Sequence, residues 1–181
     1  MVQASDIDAQ KRLRLAEIAR QEANLRLAGN ADKGGPQIEK YLASLRPAFT
    51  QRERSKHLVH SQIGFDWCGA FVYYCCRQAG YTFSGRPSDD LPGTFAAVFI
   101  WPMWATKPEN DYFVPANKTP QVGDIVIFDR LLEDVECDHV GIVTVVKETT
   151  IETAEGNVHN QAGLFCRSRD DHIHGYIRLR G

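Results

Sequence analysis

The distribution of apolar residues divides the chain into a helical first half and a strand-rich second half. Two stripes with a spacing of three to four residues predict one helix over residues 6–28 and a second that closes at Pro47. The mostly basic run at residues 52–56 is interpreted as a solvated face. The helices within residues 1–50 are therefore predicted to be packing elements. The stripes consist of Ile7, Leu15, Ile18 and Leu25, and of Ile38, Tyr41, Leu42 and Leu45.

A third helix is predicted to begin at Asp66, a residue type that favours the N-cap position, and to end near Gly80. This helix places Cys68 in its first turn, where the helix dipole favours a thiolate over a thiol. Gly69 and Ala70 keep bulk away from the sulfur. The free backbone N–H groups of that turn are expected to be able to hold an oxyanion.

From Val122 onward, short apolar runs separated by turn residues predict β-strands. About five short antiparallel strands are expected, an ordinary size for a sheet. Because helices come first and strands follow, the pattern indicates the α+β fold class. The predicted strands cover residues 125–128, 140–146, 150–154, 164–167 and 175–179.

The segment at residues 81–120 shows no clear periodicity and is rich in aromatic side chains. Loops this long inside a compact domain are usually functional or have structure of their own. Two interpretations stay open: a hydrophobic cluster beneath the loop, or an insertion that forms one wall of a substrate cleft. Trp101 and Trp104 would present their rings together on a helix, and they are predicted, with Trp67, to contact substrate.

Composition and charge exclude several classes of protein. A chain of 181 residues with 43% hydrophobic content is expected to form one globular domain over residues 1–181. Its formal net charge of −2 argues against a nucleic-acid partner, and no apolar run reaches the roughly 20 residues that a membrane span needs. Residues 1–6 lack the basic and apolar regions of a signal peptide, so synthesis in the cytoplasm is expected. A monomer without cofactors is predicted.

The five cysteines form no Cys-x-x-Cys pair of the zinc-binding type. Cys75, Cys76, Cys137 and Cys166 are interpreted as reduced structural thiols of a protein made in a reducing compartment. A cysteine taken by itself is more often buried and structural than reactive. Cys68 needs support from elsewhere in the chain before it can be called a nucleophile.

That support comes from a histidine and from an acid–amide pair farther along the chain. His139 opens an apolar run, and Glu155 and Asn157 end the next one. Cysteine, histidine and an acid or amide are the parts of a thiol hydrolase. Glu155 and Asn157 share a face if the strand stays regular, and Glu155 is predicted to orient His139 with Asn157 in support. Asp138 would point to the opposite face, so a smaller role is expected for it.

Five sequence blocks stand in the order known from one enzyme family: Trp67-Cys68-Gly69-Ala70-Phe71-Val72, Val122-Gly123-Asp124-Ile125-Val126-Ile127-Phe128, His139-Val140-Gly141-Ile142-Val143, Glu155-Gly156-Asn157 and Gly175-Tyr176-Ile177-Arg178. They resemble the blocks of CHAP domains, which are cysteine- and histidine-dependent amidohydrolases and peptidases related to the NlpC-type peptidases and papain-like in fold. The resemblance implies a Cys68 nucleophile, a His139 base and a Glu155 that orients the histidine, with Asn157 near the site. Asp138 stands where the family often has glycine. The acidic calcium-binding residues of some phage members are not matched, so no metal is predicted.

The resemblance also implies a substrate. CHAP domains usually cut peptidoglycan, either between the muramic acid lactyl group and L-alanine or at peptide bonds of the stem or cross-bridge. A catalytic domain without an export signal fits a phage lysin, or an antibacterial effector toxin with an immunity protein as its partner. Such a protein would act in the periplasm or on the cell wall after non-classical delivery. Two alternatives stay open: an intracellular papain-like peptidase or amidase acting on a protein or small amide, and a non-catalytic peptide-binding domain.

Overall fold

The computed structural model describes residues 4–51 and 64–181, and in these ranges four α-helices accompany one six-stranded sheet. The α+β class predicted from the order of the elements is confirmed. The basic run at residues 52–56 lies outside the described ranges. The elements are α1 (Ala4–Asn24), α2 (Glu39–Leu45), a 3₁₀ turn (Arg46–Ala48), α3 (Cys68–Gln78), α4 (Ile100–Ala105), β1 (Phe113–Pro115), β2 (Ile125–Phe128), β3 (His139–Val146), β4 (Thr150–Val158), β5 (Gln161–Ser168) and β6 (Ile173–Ile177).

The sheet has the strand order β1-β6-β2-β3-β4-β5, and its neighbouring strands pair antiparallel. Side chains alternate between its two faces. Ile125 and Ile127 face the helices and belong to the larger core, whereas Val126 and Phe128 belong to a smaller cluster on the other face. Strand β1 is an addition to the predicted set and extends the sheet beyond β6.

The helices pack differently from the predicted stripes at one point. Helix α1 ends at Asn24, before the predicted end at residue 28, so Leu25 lies outside it. Ile7 and Leu25 are exposed, and the buried face of α1 is formed by Leu15, Ala19 and Ala23 at intervals of four residues. Small side chains let a helix approach its neighbours closely, so the alanines decide which face of α1 is buried. No helix in the described part of the chain is long and apolar enough to cross a membrane.

The aromatic segment at residues 81–120 is largely core. Trp101 is fully buried and Trp104 is 6% exposed, and both rings contact Phe83 and Phe95. The indole N–H of Trp101 donates to the backbone oxygen of Phe95 at 3.0 Å. Trp67 is also fully buried. The prediction that these three tryptophans contact substrate is therefore corrected. Their rings lie in the core because burying a large aromatic surface is energetically more favourable than exposing it in a cleft.

Trp101→Ala is expected to lower the free energy of unfolding by about 3–5 kcal/mol, because it deletes a buried indole and leaves a cavity. Urea unfolding followed by circular dichroism measures this loss. Phe99→Ala is the matched control, since Phe99 comes from the same segment but is 46% exposed. A Trp101→Ala protein with unchanged stability and reduced turnover would restore the substrate-contact interpretation.

Candidate active site

Cys68 is the first residue of α3 and is 4% exposed. The N-cap is Trp67, whose backbone oxygen accepts from the N–H of Phe71 at 2.9 Å, so the prediction that Asp66 caps the helix is wrong. Asp66 instead forms an ion pair with Lys33. The first N–H groups of a helix have no acceptor within it, so the turn that carries Cys68 offers donors to an oxyanion.

Gly69 is required by its surroundings rather than by the sulfur alone. A Cβ at this position would lie 2.2 Å from the backbone oxygen of Phe95 and 2.9 Å from that of Ala96. The missing side chain lets the backbone of residues 95–96 cross directly over the start of α3. The same crossing brings Ala96 next to Cys68 in the lining of a cleft.

His139 is the first residue of β3 and its side chain is buried. Its Nε2 lies 2.9 Å from Oε2 of Glu155, the contact expected from the sequence. Nδ1 is therefore the ring nitrogen left for Cys68, which lines the same cleft as His139 and raises the pKa of the imidazole. The imidazole lies between the thiol and the carboxylate, as general acid–base chemistry at sulfur requires.

Gly141 explains how Glu155 reaches the histidine. The two residues are directly paired across β3 and β4, and a Cβ on Gly141 would lie 2.8 Å from Cγ of Glu155. The space that the missing side chain of Gly141 leaves beside His139 is thus filled by the side chain of Glu155.

The carboxylate of Glu155 is fully buried and accepts hydrogen bonds at both oxygens. Oε2 takes Nε2–H of His139 and an Nη2–H of Arg167, the latter at 2.7 Å. Oε1 takes Nε–H of Arg167 at 2.9 Å and the hydroxyl of Thr153. Arg167 was not identified from the sequence, because only the packing of β5 beside β4 brings it to the carboxylate.

The charges of His139, Glu155 and Arg167 stabilise one another. Burial alone would lower the pKa of His139, but hydrogen bonds and charge interactions with Cys68 and Glu155 raise it to about 10. Burial would raise the pKa of Glu155, but Arg167 and His139 lower it to about 2. Near neutral pH the site therefore holds an imidazolium at His139 and a carboxylate at Glu155.

Asn157 lies apart from the histidine. A β-bulge between Glu155 and Val158 breaks the alternation, so the predicted common face of Glu155 and Asn157 does not continue. The amide of Asn157 donates to Oδ1 of Asp66 at 3.0 Å and lines the cleft. Its support of the catalytic site stays a prediction.

Asp138 organises the loop before β3. Its carboxylate accepts the backbone N–H groups of Leu131, Leu132 and Glu133 at 3.2, 2.6 and 2.9 Å. These bonds fix a segment that lines the cleft, which agrees with the smaller role expected for Asp138 in the chemistry.

Cys68 and His139 open onto a cleft of about 570 Å³. Two segments supply much of its lining, one from the region before α4 and one from the loop between β2 and β3. The first contributes a run of small and apolar residues, and the second mixes apolar and acidic ones. These residues are Ala96, Ala97, Val98 and Phe99, and Leu132, Glu133, Val135, Cys137 and Asp138.

The other four cysteines differ from Cys68 in their surroundings, and none of the five forms a disulfide. Burial raises the pKa of the Cys75 and Cys76 thiols. Burial and the nearby Asp129 raise the pKa of Cys137 to about 11, and Cys166 is exposed. Cys137 also lies near a histidine and a carboxylate, those of His174 and Asp129, but at Cys68 both the histidine and the carboxylate are buried.

Two groups of side chains in the described residues could hold a metal ion, and neither includes Cys68 or Glu155. In the first, Asp129 already bonds Nδ1 of His174 at 3.0 Å and the backbone N–H of Cys137 at 2.7 Å. The second consists of Asp170, Asp171 and His172. The arrangement at Cys68 is complete for acyl transfer without a metal ligand.

Comparison with known families places these residues in context. The CHAP domain model matches residues 60–157, more than half of the chain, and the match contains Cys68, His139 and Glu155. Neither the curated proteins nor the solved structures give a match. The chain belongs to the CHAP domain family, and it is a cysteine- and histidine-dependent amidohydrolase or peptidase.

Proposed function

We propose that this protein hydrolyses amide bonds of bacterial peptidoglycan, with Cys68 as nucleophile, His139 as acid and base, and Glu155 as the residue that orients the histidine. The observation that carries the proposal is the hydrogen bond between His139 and buried Glu155, at a cleft that Cys68 and His139 share in a CHAP domain. CHAP domains generally act on peptidoglycan, which supports the substrate class.

The first half of the reaction acylates Cys68. The thiolate attacks the carbonyl carbon of the scissile amide, and the first-turn N–H groups of α3 stabilise the oxyanion that forms. His139 gives its proton to the nitrogen as the C–N bond breaks. The amine leaves, and the acyl group stays on sulfur as a thioester.

The second half releases the acid. His139, now neutral, takes a proton from water as the water oxygen attacks the thioester carbonyl. The C–S bond breaks, the carboxylic acid leaves, and the thiolate and imidazolium are restored. Glu155 stays ionised throughout and keeps the ring aligned through its bond to Nε2.

The cleft suits a peptide with small side chains near the scissile bond. Ala96 and Ala97 leave room beside the thiol, and the exposed side chains of Phe99, Leu132 and Val135 offer apolar contacts at its rim. Peptidoglycan stems are short peptides rich in alanine. A muramoyl-L-alanine amidase and a stem or cross-bridge endopeptidase both fit this description.

The biological setting follows from the substrate. A peptidoglycan hydrolase of this kind serves as a phage lysin or as an antibacterial effector, acting in the periplasm or on the wall. For an effector, the producing cell needs an immunity protein. A partner that inserts a loop between Phe99 and Leu132 would block access to Cys68.

Digestion of purified peptidoglycan, read by mass spectrometry, tests the proposal. We expect soluble fragments from the wild-type protein and none from Cys68→Ala. Glycan chains freed of whole stems would identify an amidase, whereas shortened or unlinked stems would identify an endopeptidase. Sacculi of several stem types left intact, by a protein whose Cys68 is still alkylated rapidly, would refute the substrate. Hydrolysis of a protein or small amide under those conditions would then favour the intracellular alternative, and no hydrolysis at all a binding domain.

A further inference from the structure

Arg167 of β5 is the second cation on the Glu155 carboxylate. Its Nε and Nη2 atoms each contact a different oxygen of Glu155, at 2.9 and 2.7 Å, which is the bidentate geometry of the strongest arginine–carboxylate pairs. The carboxylate is fully buried, while 18% of the Arg167 side chain is exposed. The guanidinium thus binds both oxygens of Glu155 and shares Oε2 with Nε2 of His139.

Two aromatic rings hold the guanidinium in place. Its central carbon lies 4.9 Å from the ring centre of Phe165 and 6.0 Å from that of Phe128. The Phe128 ring also stacks on the imidazole of His139, with 6.2 Å between centres and 25° between planes. Arginine, phenylalanine and histidine are therefore packed together around one carboxylate.

The reaction makes a permanent cation necessary at this place. When His139 has given its proton to the leaving amine, Glu155 loses its charged partner while it stays out of water. An uncompensated buried carboxylate is costly and tends to take up a proton. A guanidinium does not lose its charge in proteins, so Arg167 still neutralises Glu155 in that state.

We propose that Arg167 is a positioning residue, which keeps Glu155 ionised and fixed in both protonation states of His139 and so maintains the charged Cys68–His139 pair. This inference rests on the proposed function of those two residues. With Arg167, the site has two negative groups, the thiolate of Cys68 and the carboxylate of Glu155. It also has two positive groups, the imidazolium of His139 and the guanidinium of Arg167, so its net charge is zero. Without Arg167, one negative charge is left in excess, and the neutral thiol of Cys68 is favoured over the thiolate.

Other ionisable groups near the site do not replace this cation. Lys33 is paired with Asp66, and the carboxylate of Asp138 is bonded to backbone N–H groups. The ionisable residues that share the cleft with Cys68 and His139 are Lys33, Asp66, Glu133, Cys137, Asp138 and His159.

The test measures the rate at which iodoacetamide alkylates Cys68 as a function of pH, with the modified residue identified by peptide mapping. This readout needs no substrate, so it does not depend on whether the enzyme cuts peptidoglycan. In Arg167→Met we expect the midpoint of the alkylation profile to move to higher pH by about one pH unit, as loss of a nearby charge does. The kcat on the cleaved substrate should fall about tenfold or more with a small change in KM.

Arg178→Met is the matched control. Arg178 makes the same bidentate contact, at 3.0 and 2.8 Å, with the buried carboxylate of Asp124, which precedes β2 at the end opposite Phe128. We expect it to lower the melting temperature without moving the alkylation profile. An Arg167→Met protein that behaves in the same way, less stable but with unchanged alkylation and kcat, would overturn the proposal.

Arg167→Lys keeps the inference testable if the methionine variant does not fold. Lysine keeps the charge but cannot make the bidentate contact. The alkylation profile should therefore stay near that of the wild type while kcat falls. A lysine variant with wild-type kcat would show that the fixed geometry is unnecessary, and one with the profile shifted to higher pH by one unit or more would show that the charge alone does not maintain the pair.

Discussion

Cys68→Ala is expected to lower kcat/KM by at least ~10⁴-fold, the scale on which a covalent nucleophile contributes. The change removes the atom that forms the thioester and leaves only binding and oxyanion stabilisation. The fold should persist, because alanine fits the first turn of α3 and only the sulfur is lost. Release of peptidoglycan fragments gives the activity, and thermal unfolding gives the stability.

Cys137→Ala is the control that decides whether the position of the thiol matters. Cys137 lines the same cleft as Cys68 but has Asp129 beside it, and its pKa is raised to about 11. We expect this variant to retain most of the activity. Cys166 is exposed and will also react with iodoacetamide, so loss of activity must be compared with labelling of each cysteine. Inactivation that follows labelling of Cys137 or Cys166 would contradict the assignment of Cys68.

Local signals in the sequence were sufficient for some elements. The predicted start of α3 lies within two residues of the observed one, and the predicted strand at residues 125–128 has the same bounds as β2, Ile125–Phe128. Both elements are buried along most of their length, so hydrophobicity alone marks them.

Other elements left no pattern to find. Helix α4 has only six residues, and five of them are buried, so it shows no amphipathic period. Strand β1 has three residues and is defined by its pairing with β6 rather than by its own sequence. Tertiary packing produces both α4 and β1, so the sequence of residues 81–120 shows no clear hydrophobic periodicity.

The residues of the site also divide into those that a local sequence pattern predicts and those that depend on tertiary packing. Cys68, His139 and Glu155 each begin or end an element in the sequence pattern and match family blocks, so they could be proposed in advance. Arg167 lies 12 residues from Glu155, and its role depends on the register of β4 against β5. Asn157 was assigned by strand alternation, which the β-bulge interrupts.

Glu155→Gln is expected to reduce turnover by at least ~10²-fold, by analogy with the loss when a catalytic histidine is mis-oriented. Glutamine keeps the shape of the side chain but presents no charge to His139 or to Arg167. Glu155→Ala should lose at least as much and should also destabilise the fold by about 3–5 kcal/mol, because it leaves Arg167 without its partner. Asp138→Ala is the control: it removes the acceptor for three loop N–H groups, and turnover should fall far less.

The pH dependence of stability separates the charge of Glu155 from its shape. The pKa of His139 is raised from an ordinary 6.5 to about 10, so its stabilisation is complete below pH 6.5 and is lost as pH rises through 10. The pKa of Glu155 is lowered from 4.5 to about 2, so its stabilisation is present above pH 4.5 and is lost as pH falls through 2. Urea unfolding of the wild type should therefore show stability falling between pH 6.5 and 10, and Glu155→Gln should flatten that fall because His139 has lost its anionic partner. An equally steep fall in the glutamine variant, together with turnover near that of the wild type, would mean that Glu155 does not hold the imidazolium.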